Sequence, residues 1–204
     1  MTVIVNDRAL EKTIRADRER TGASRFDEVW EGTYVVSPLA NEQHQWLIMG
    51  LCLALADVID TTRGDRVYPG VNVSDRTKGW KRNYRVPDVA VVLATNPCRQ
   101  FDAVMVGGPD MIFEVVSRDD MAREKLGFYA KVGVREVVLI DRDPWGLELF
   151  RLADGELRGA GVVAADSSDS LASEVLPLSF GLVPGENRPR IVVQRLDREQ
   201  EWVF

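Results

Sequence analysis

Two stretches of the chain, Met111 to Val116 and Glu136 to Ile140, are short and almost continuously apolar, and Val86 to Leu93 is a third. Runs of that length without polar alternation fit central strands covered on both faces. Val67 to Val73 reads as a further strand. The segment Asp119 to Val132 is helical in composition and stops at Gly133. Strand, helix and strand in that order predict a parallel pair with a right-handed crossover. Upstream, Phe26 to Val36 predicts a hairpin turning at Glu31-Gly32, with Tyr34-Val35-Val36 as its second strand. Ser37-Pro38 is a good N-cap and first-turn pair, opening a helix that runs to about Asp60. From Trp46 on, that helix is apolar on most faces, the pattern of a buried helix.

The ends are plainer. Residues 8–20 are highly charged with a thin apolar stripe, which predicts a short N-terminal helix or arm. Asp143-Pro144-Trp145-Gly146 predicts a turn, Leu147 to Arg151 a strand, and Asp154-Gly155 a turn into its partner. Ala164 to Ser173 reads as a surface loop, and the segment from Ile191 onward has little pattern. With no internal repeat and no second boundary, the chain divides into residues 1–25, a helix or arm, and one domain over 26–204. Strands and helices interspersed in this way place the chain in an α/β (α+β) class.

Composition acts mainly by exclusion. The chain has 204 residues, a net charge of −6, two cysteines and one histidine. Its longest apolar stretch, Trp46 to Ala56, falls well short of the ~20 residues of a membrane span. No basic segment followed by an apolar one opens the chain, so no secretory signal is expected and the location expected is cytoplasmic. Cys52 and Cys98 cannot make a disulfide framework, and Cys52 reads as a small buried thiol. One histidine and two separated cysteines cannot assemble a Cys/His zinc site. A G-x-S-x-G elbow, a P-loop and a G-x-G-x-x-G cradle are all absent from the sequence. Carboxylates and lysines are left as the instruments of any chemistry, with a hard, oxygen-liganded Mg²⁺ or Mn²⁺ as the fitting metal.

Two acids interrupt the apolar strands, Asp88 and Glu114. A carboxylate buried in a core strand costs several kcal/mol unless it is paired or metal-bound. Each alone could be a structural ion pair; two in neighbouring strands suggest a shared divalent-cation site. Pro87, which cannot donate to a ladder, suggests an irregular strand start at Asp88. Lys125 falls one turn before Tyr129, so the two share a helix face. It is either a solvated helix lysine or an ammonium placed beside an attacking water. Glu42 shares a face with Gln45, Trp46 and Met49 and is expected to point toward the apolar side. There it is either a third metal-site acid or a dipole-stabilised first-turn acid. His44 reads as a structural histidine. Finally, Arg76, Lys78, Lys81, Arg82 and Arg85 interleave with Trp80 and Tyr84 just before Pro87. Such a run suits a nucleic-acid backbone, or is a solvated loop.

Taken in order, Tyr34-Val-Val-Ser-Pro38, Glu42-Gln-His44, Arg85-Val-Pro-Asp88-Val, Phe113-Glu-Val-Val-Ser117, Lys125 with Tyr129, and Gly133-Val-Arg-Glu136-Val-Val-Leu-Ile-Asp141 resemble the Uma2 family. That bacterial family of restriction-endonuclease type belongs to the PD-(D/E)xK nuclease superfamily. The resemblance covers about residues 26 to 150. It implies a restriction-endonuclease-like fold, a mixed central sheet flanked by helices, with Asp88 and Glu114 in the metal-binding acid positions. The superfamily's usual lysine would fall two residues after Glu114, where Val116 stands. The family's lysine is displaced onto the next helix, where it matches Lys125. The implied activity is Mg²⁺-dependent hydrolysis of DNA phosphodiester bonds, with Asp88, Glu114 and Lys125 catalytic and Asp88, Glu114 and Glu42 at the metal. The basic residues from Arg76 to Arg85 would steer the DNA, and a homodimer follows by analogy. The competing readings are a non-catalytic module on the same fold, binding nucleic acid or protein, and a hydrolase of another phosphorylated substrate.

Overall fold

A computed structural model of the chain describes residues 2–101, 103–117 and 120–204. Its centre is a six-stranded sheet with the strands in the order Glu156–Ala164, Trp145–Ala153, Glu136–Arg142, Met111–Val115, Val89–Val92 and Arg66–Pro69. The Met111–Val115 and Glu136–Arg142 strands run parallel, and the other neighbours in this sheet are antiparallel. The parallel pair flanks the expected crossover, built as a 3₁₀ turn at Arg123–Lys125 and a short α-helix at Leu126–Val132. Gly133 closes that helix in the left-handed region, φ 90°, as the sequence suggests. Asp119, where the helical segment was expected to begin, lies outside the described residues.

The two sheet faces bury different partners because side chains alternate along each strand. Met111, Phe113 and Val115 face one core, while Ile112 and Val116 face the other. In the first core the sheet packs against a long helix, Glu42–Ala56, through Leu47, Leu51, Ala54 and Leu55. A four-stranded antiparallel sheet completes it, formed by Ser170–Ala172, Leu178–Val183, Arg190–Arg195 and Glu201–Val203. Phe113 and Phe180 meet edge to face across this core, 5.3 Å between centroids. Phe204 lies so close to the backbone of the long helix that a side chain at Gly50 would fall 2.4 Å from its ring. The second core holds Phe128 and Tyr129 of the crossover helix against Ile112, Val137 and Leu139.

A second sheet of seven short strands includes the predicted hairpin, Glu28–Trp30 paired with Thr33–Val36. The charged N-terminal segment is a helix, Arg8–Thr21, capped by the Asp7 carboxylate. Arg18 ties it to the hairpin: its guanidinium grips Asp27 at 2.6 and 2.7 Å and also donates to Ser37 O.

Four expectations are corrected here. The long helix begins at Glu42, with Asn41 as its N-cap, rather than at Ser37-Pro38. Ser37 is held outside it because its N–H donates to Asp27 and its carbonyl accepts from Arg18. Nor is that helix buried all round: Trp46, Met49 and Leu53 are more than half exposed, since both sheets cover the same side of it. Val67 to Val73 splits between two sheets, Arg66–Pro69 in the central one and Val73–Ser74 in the other. The C-terminal region is an ordered sheet, and Ser170–Ala172, within the expected loop, is one of its strands. Among the described residues no helix is long and apolar enough to cross a membrane.

Candidate active site

The register of the central sheet brings the two strand acids together. Phe113 pairs with Val89, so the next pair along this antiparallel ladder is Glu114 with Asp88, on the face of the crossover helix. Asp88 precedes the first laddered residue, as Pro87 suggests, and its Oδ2 accepts the Val115 N–H at 2.7 Å. Its Oδ1 lies 2.9 Å from His44 Nε2. Glu114 is buried, and its Oε1 accepts the Tyr129 hydroxyl at 2.5 Å. Lys125 Nζ sits 3.1 and 3.2 Å from the two Glu114 oxygens. Lys125 and Tyr129 thus act from one helical face on one carboxylate, as their spacing predicts.

A third acid completes the group, and it was not singled out in the sequence. Glu28, 1% exposed, places Oε1 2.9 Å from Lys125 Nζ and also accepts the Val86 N–H at 2.9 Å. Its Oε2 takes the Trp30 indole N–H. The signal was present: Glu28 is an acid inside a predicted strand, the same criterion that selects Asp88 and Glu114. Together these side chains border a cleft of about 350 Å³ that also meets Asp120, Ser117 and Arg142.

The electrostatics follow from counting. Glu28 and Glu114 share the Lys125 ammonium and Asp88 adds its charge beside Glu114, so the cluster is short of positive charge. Burial, with Asp88 and Glu28 adding to it against the pull of Lys125, pushes Glu114 up to about 8. Burial alone would lower the Lys125 ammonium, but Glu114 and Glu28 outweigh it and hold Lys125 protonated. Burial and the same two carboxylates raise the Tyr129 hydroxyl well above its ordinary value. Among the described residues no three His, Cys, Asp or Glu side chains form a ready-made metal cage. The donor chemistry nevertheless fits a hard cation. A carboxylate offers about four acceptor positions; Asp88 meets two partners, His44 and the Val115 N–H, and Glu114 meets two, Lys125 and Tyr129, so both keep capacity toward the cleft. Mg²⁺ is commonly held by one or two carboxylates and keeps several waters.

The other site expectations divide. Glu42 does share a face with Gln45, Trp46 and Met49, but that face is the exposed one. Glu42 therefore points to solvent and does not border the cleft, whereas His44 does. Arg85 is buried, its guanidinium sandwiched between the rings of Trp30 and Phe128 at 4.5 and 4.3 Å. It donates to Val29 O and Asn83 Oδ1 and is out of reach of a nucleic-acid backbone. Arg76 is clamped by Asp75 at 2.6 Å, with Glu31 beside it. Lys78, Lys81 and Arg82 are exposed. Cys52 and Cys98 are free and half-buried, with burial pushing both thiols up.

The family described as "putative restriction endonuclease", Uma2, matches residues 17–184, a span that contains the whole cluster. A crystal structure of a "putative nuclease belonging to DUF820" from Anabaena variabilis is similar in fold, with a TM-score of 0.56 at 19% identity. The match covers 79% of this chain and 82% of that one. None of the curated proteins compared matches the chain.

Proposed function

The chain belongs to the Uma2 family, and from that premise we propose that it is a divalent-cation-dependent nuclease hydrolysing DNA phosphodiester bonds. One observation supports this reading above the others: two buried carboxylates, Glu28 and Glu114, share the single Lys125 ammonium beside the half-buried Asp88 at the floor of an open cleft. A charge deficit of that kind is costly to fold around and is relieved by a divalent cation. Asp88 and Glu114 would hold the ion, which supplies Lewis-acid stabilisation of the phosphate charge and of the leaving oxygen. Glu42 is not part of this proposal.

The chain's own groups have distinct tasks. The Val115 N–H and His44 fix the Asp88 carboxylate, and Tyr129 fixes Glu114. Lys125 has three ammonium donors. Glu28 takes one, the two Glu114 oxygens share another, and the third is left to orient an attacking water. Lys78, Lys81 and Arg82 would attract the DNA backbone, and a two-fold dimer would bring two such clefts to opposite strands.

The test is cleavage of plasmid and single-stranded DNA in Mg²⁺, Mn²⁺ or EDTA. Wild type should cut only with the metals, and Glu114→Gln and Lys125→Ala should lose at least about a hundredfold. A folded wild type that cuts nothing, or variants that cut equally well, would overturn the reading. A non-catalytic binding module on the same fold would then move ahead, favoured by the Lys125 and Tyr129 partners that Glu114 already has.

A further inference from the structure

Two fixed cations, Lys125 and Arg142, border the cleft, and they are held in opposite ways. Lys125 is paired with the carboxylates of Glu28 and Glu114. Arg142, at the end of the strand Glu136–Arg142, has no carboxylate within ion-pair distance among the described residues. Its guanidinium is instead held by neutral oxygens. Nε donates to Val116 O at 3.1 Å and Nη2 to Ser117 Oγ at 2.5 Å. Nη1 donates to Asn41 Oδ1 at 3.0 Å and Gln43 Oε1 at 3.2 Å.

That arrangement fixes the orientation of a guanidinium without neutralising it. Val116 and Ser117 lie just beyond Glu114 on the same chain segment, so Arg142 stands within reach of the acidic floor without touching it. Of its five N–H donors four are occupied, leaving one Nη2 proton. Half-burial in the cleft wall, with Arg188 nearby, lowers its pKa, and the fields of Asp88 and Asp120 offset only part of that. An oriented, unneutralised guanidinium beside an anion-repelling floor is suited to a phosphate group.

We propose that Arg142 binds a backbone phosphate of the substrate, holding the nucleic acid over the Asp88–Glu114 floor. The proposal rests on the phosphodiester reading of this cleft and names the residue that grips the strand within it. Asn41 and Gln43, exposed and half-exposed at the entry to the long helix, are the acceptors a phosphate oxygen would replace.

The experiment reads binding apart from cleavage. A fluorescein-labelled DNA duplex is titrated by anisotropy in EDTA, across a salt series, with wild type, Arg142→Met and Arg142→Lys. Removing one phosphate contact lowers the slope of log K against log salt by about one. Arg142→Met should do so and weaken binding about tenfold. Arg142→Lys should keep the slope, because it keeps the charge. A merely structural arginine would lower thermal stability and leave the slope of the folded fraction unchanged, and that result overturns the proposal. Should Arg142→Met fail to fold, Arg142→Gln keeps a donor for Ser117 and takes the same measurement. Failures can be told apart. A wild type that cuts DNA with an Arg142-independent slope refutes this inference alone. One that binds with the Arg142-dependent slope but never cuts refutes only the nuclease reading.

Discussion

Two buried acids in this molecule, Asp27 and Glu114, start from nearly the same circumstances and end differently. Both are almost fully enclosed, both accept a tyrosine hydroxyl, and both face a cation. Asp27 has a guanidinium to itself: Arg18 grips both its oxygens, and Tyr34 and the Ser37 N–H take what remains. The cluster is closed, its charges matched one to one, and it pins the N-terminal helix to the hairpin. Glu114 shares its ammonium with Glu28, faces Asp88, and opens on a cleft. A buried carboxylate therefore indicates chemistry only when its countercharge is oversubscribed and its remaining lone pairs face open space. The first arrangement is a fastening; the second is a binding site awaiting positive charge.

Substitutions at the two clusters should separate them. The largest effect on stability is expected from Asp27→Ala, which leaves Arg18 and the Tyr34 hydroxyl without their common acceptor. Breaking a buried pair in this way costs about 3–5 kcal/mol, measurable by urea denaturation, while DNA cleavage per folded molecule should stay at the wild-type level. Glu114→Gln should do the reverse. It removes one acid from an overcrowded site, and at pH 8 without metal its Tm should rise by about 2–4 °C, the shift that about 1 kcal/mol gives in a chain of this size. A fall in Tm of that size would mean that Glu114 is a fastening like Asp27.

The pH dependence has a definite sign. Glu114 titrates near 4.5 in the unfolded chain and near 8 in the folded one, so the folded state binds the extra proton between those values. Stability without metal should then fall as pH rises from about 5 to 8, and this slope should be absent in Glu114→Gln. Thermal melts across that range decide it; a flat wild-type profile would contradict the crowding argument. The smallest effect belongs to the exposed Lys78, Lys81 and Arg82. Alanine at each should change stability by less than about 0.5 kcal/mol, and any role in DNA binding should appear only as a reduced salt dependence.

Much of the site's frame is legible in the sequence. The apolar runs around Asp88 and Glu114 became adjacent strands, and the spacing of Lys125 and Tyr129 put both on Glu114. What stayed hidden depends on contacts that local pattern does not encode. The periodicity that grouped Glu42 with Trp46 and Met49 was right, yet which face of the helix meets the sheets is decided by where the C-terminal strands dock. His44 comes to Asp88 for the same reason. Arg85 looks like its basic neighbours in sequence, and only the rings of Trp30 and Phe128 reveal it as core. Glu28 was readable in principle, being a strand acid like the other two. Arg142 was not, because its significance lies in carboxylates that fail to meet it.

The most direct test of the central claim is a calorimetric titration of Mn²⁺ at pH 8 into wild type, Asp88→Asn, Glu114→Gln and Asp27→Asn. One binding site is expected in wild type, lost in the two cleft variants and kept in folded Asp27→Asn. No uptake by wild type, or equal uptake by all four, would show that the Glu28–Asp88–Glu114 cluster is a second fastening rather than a cation site.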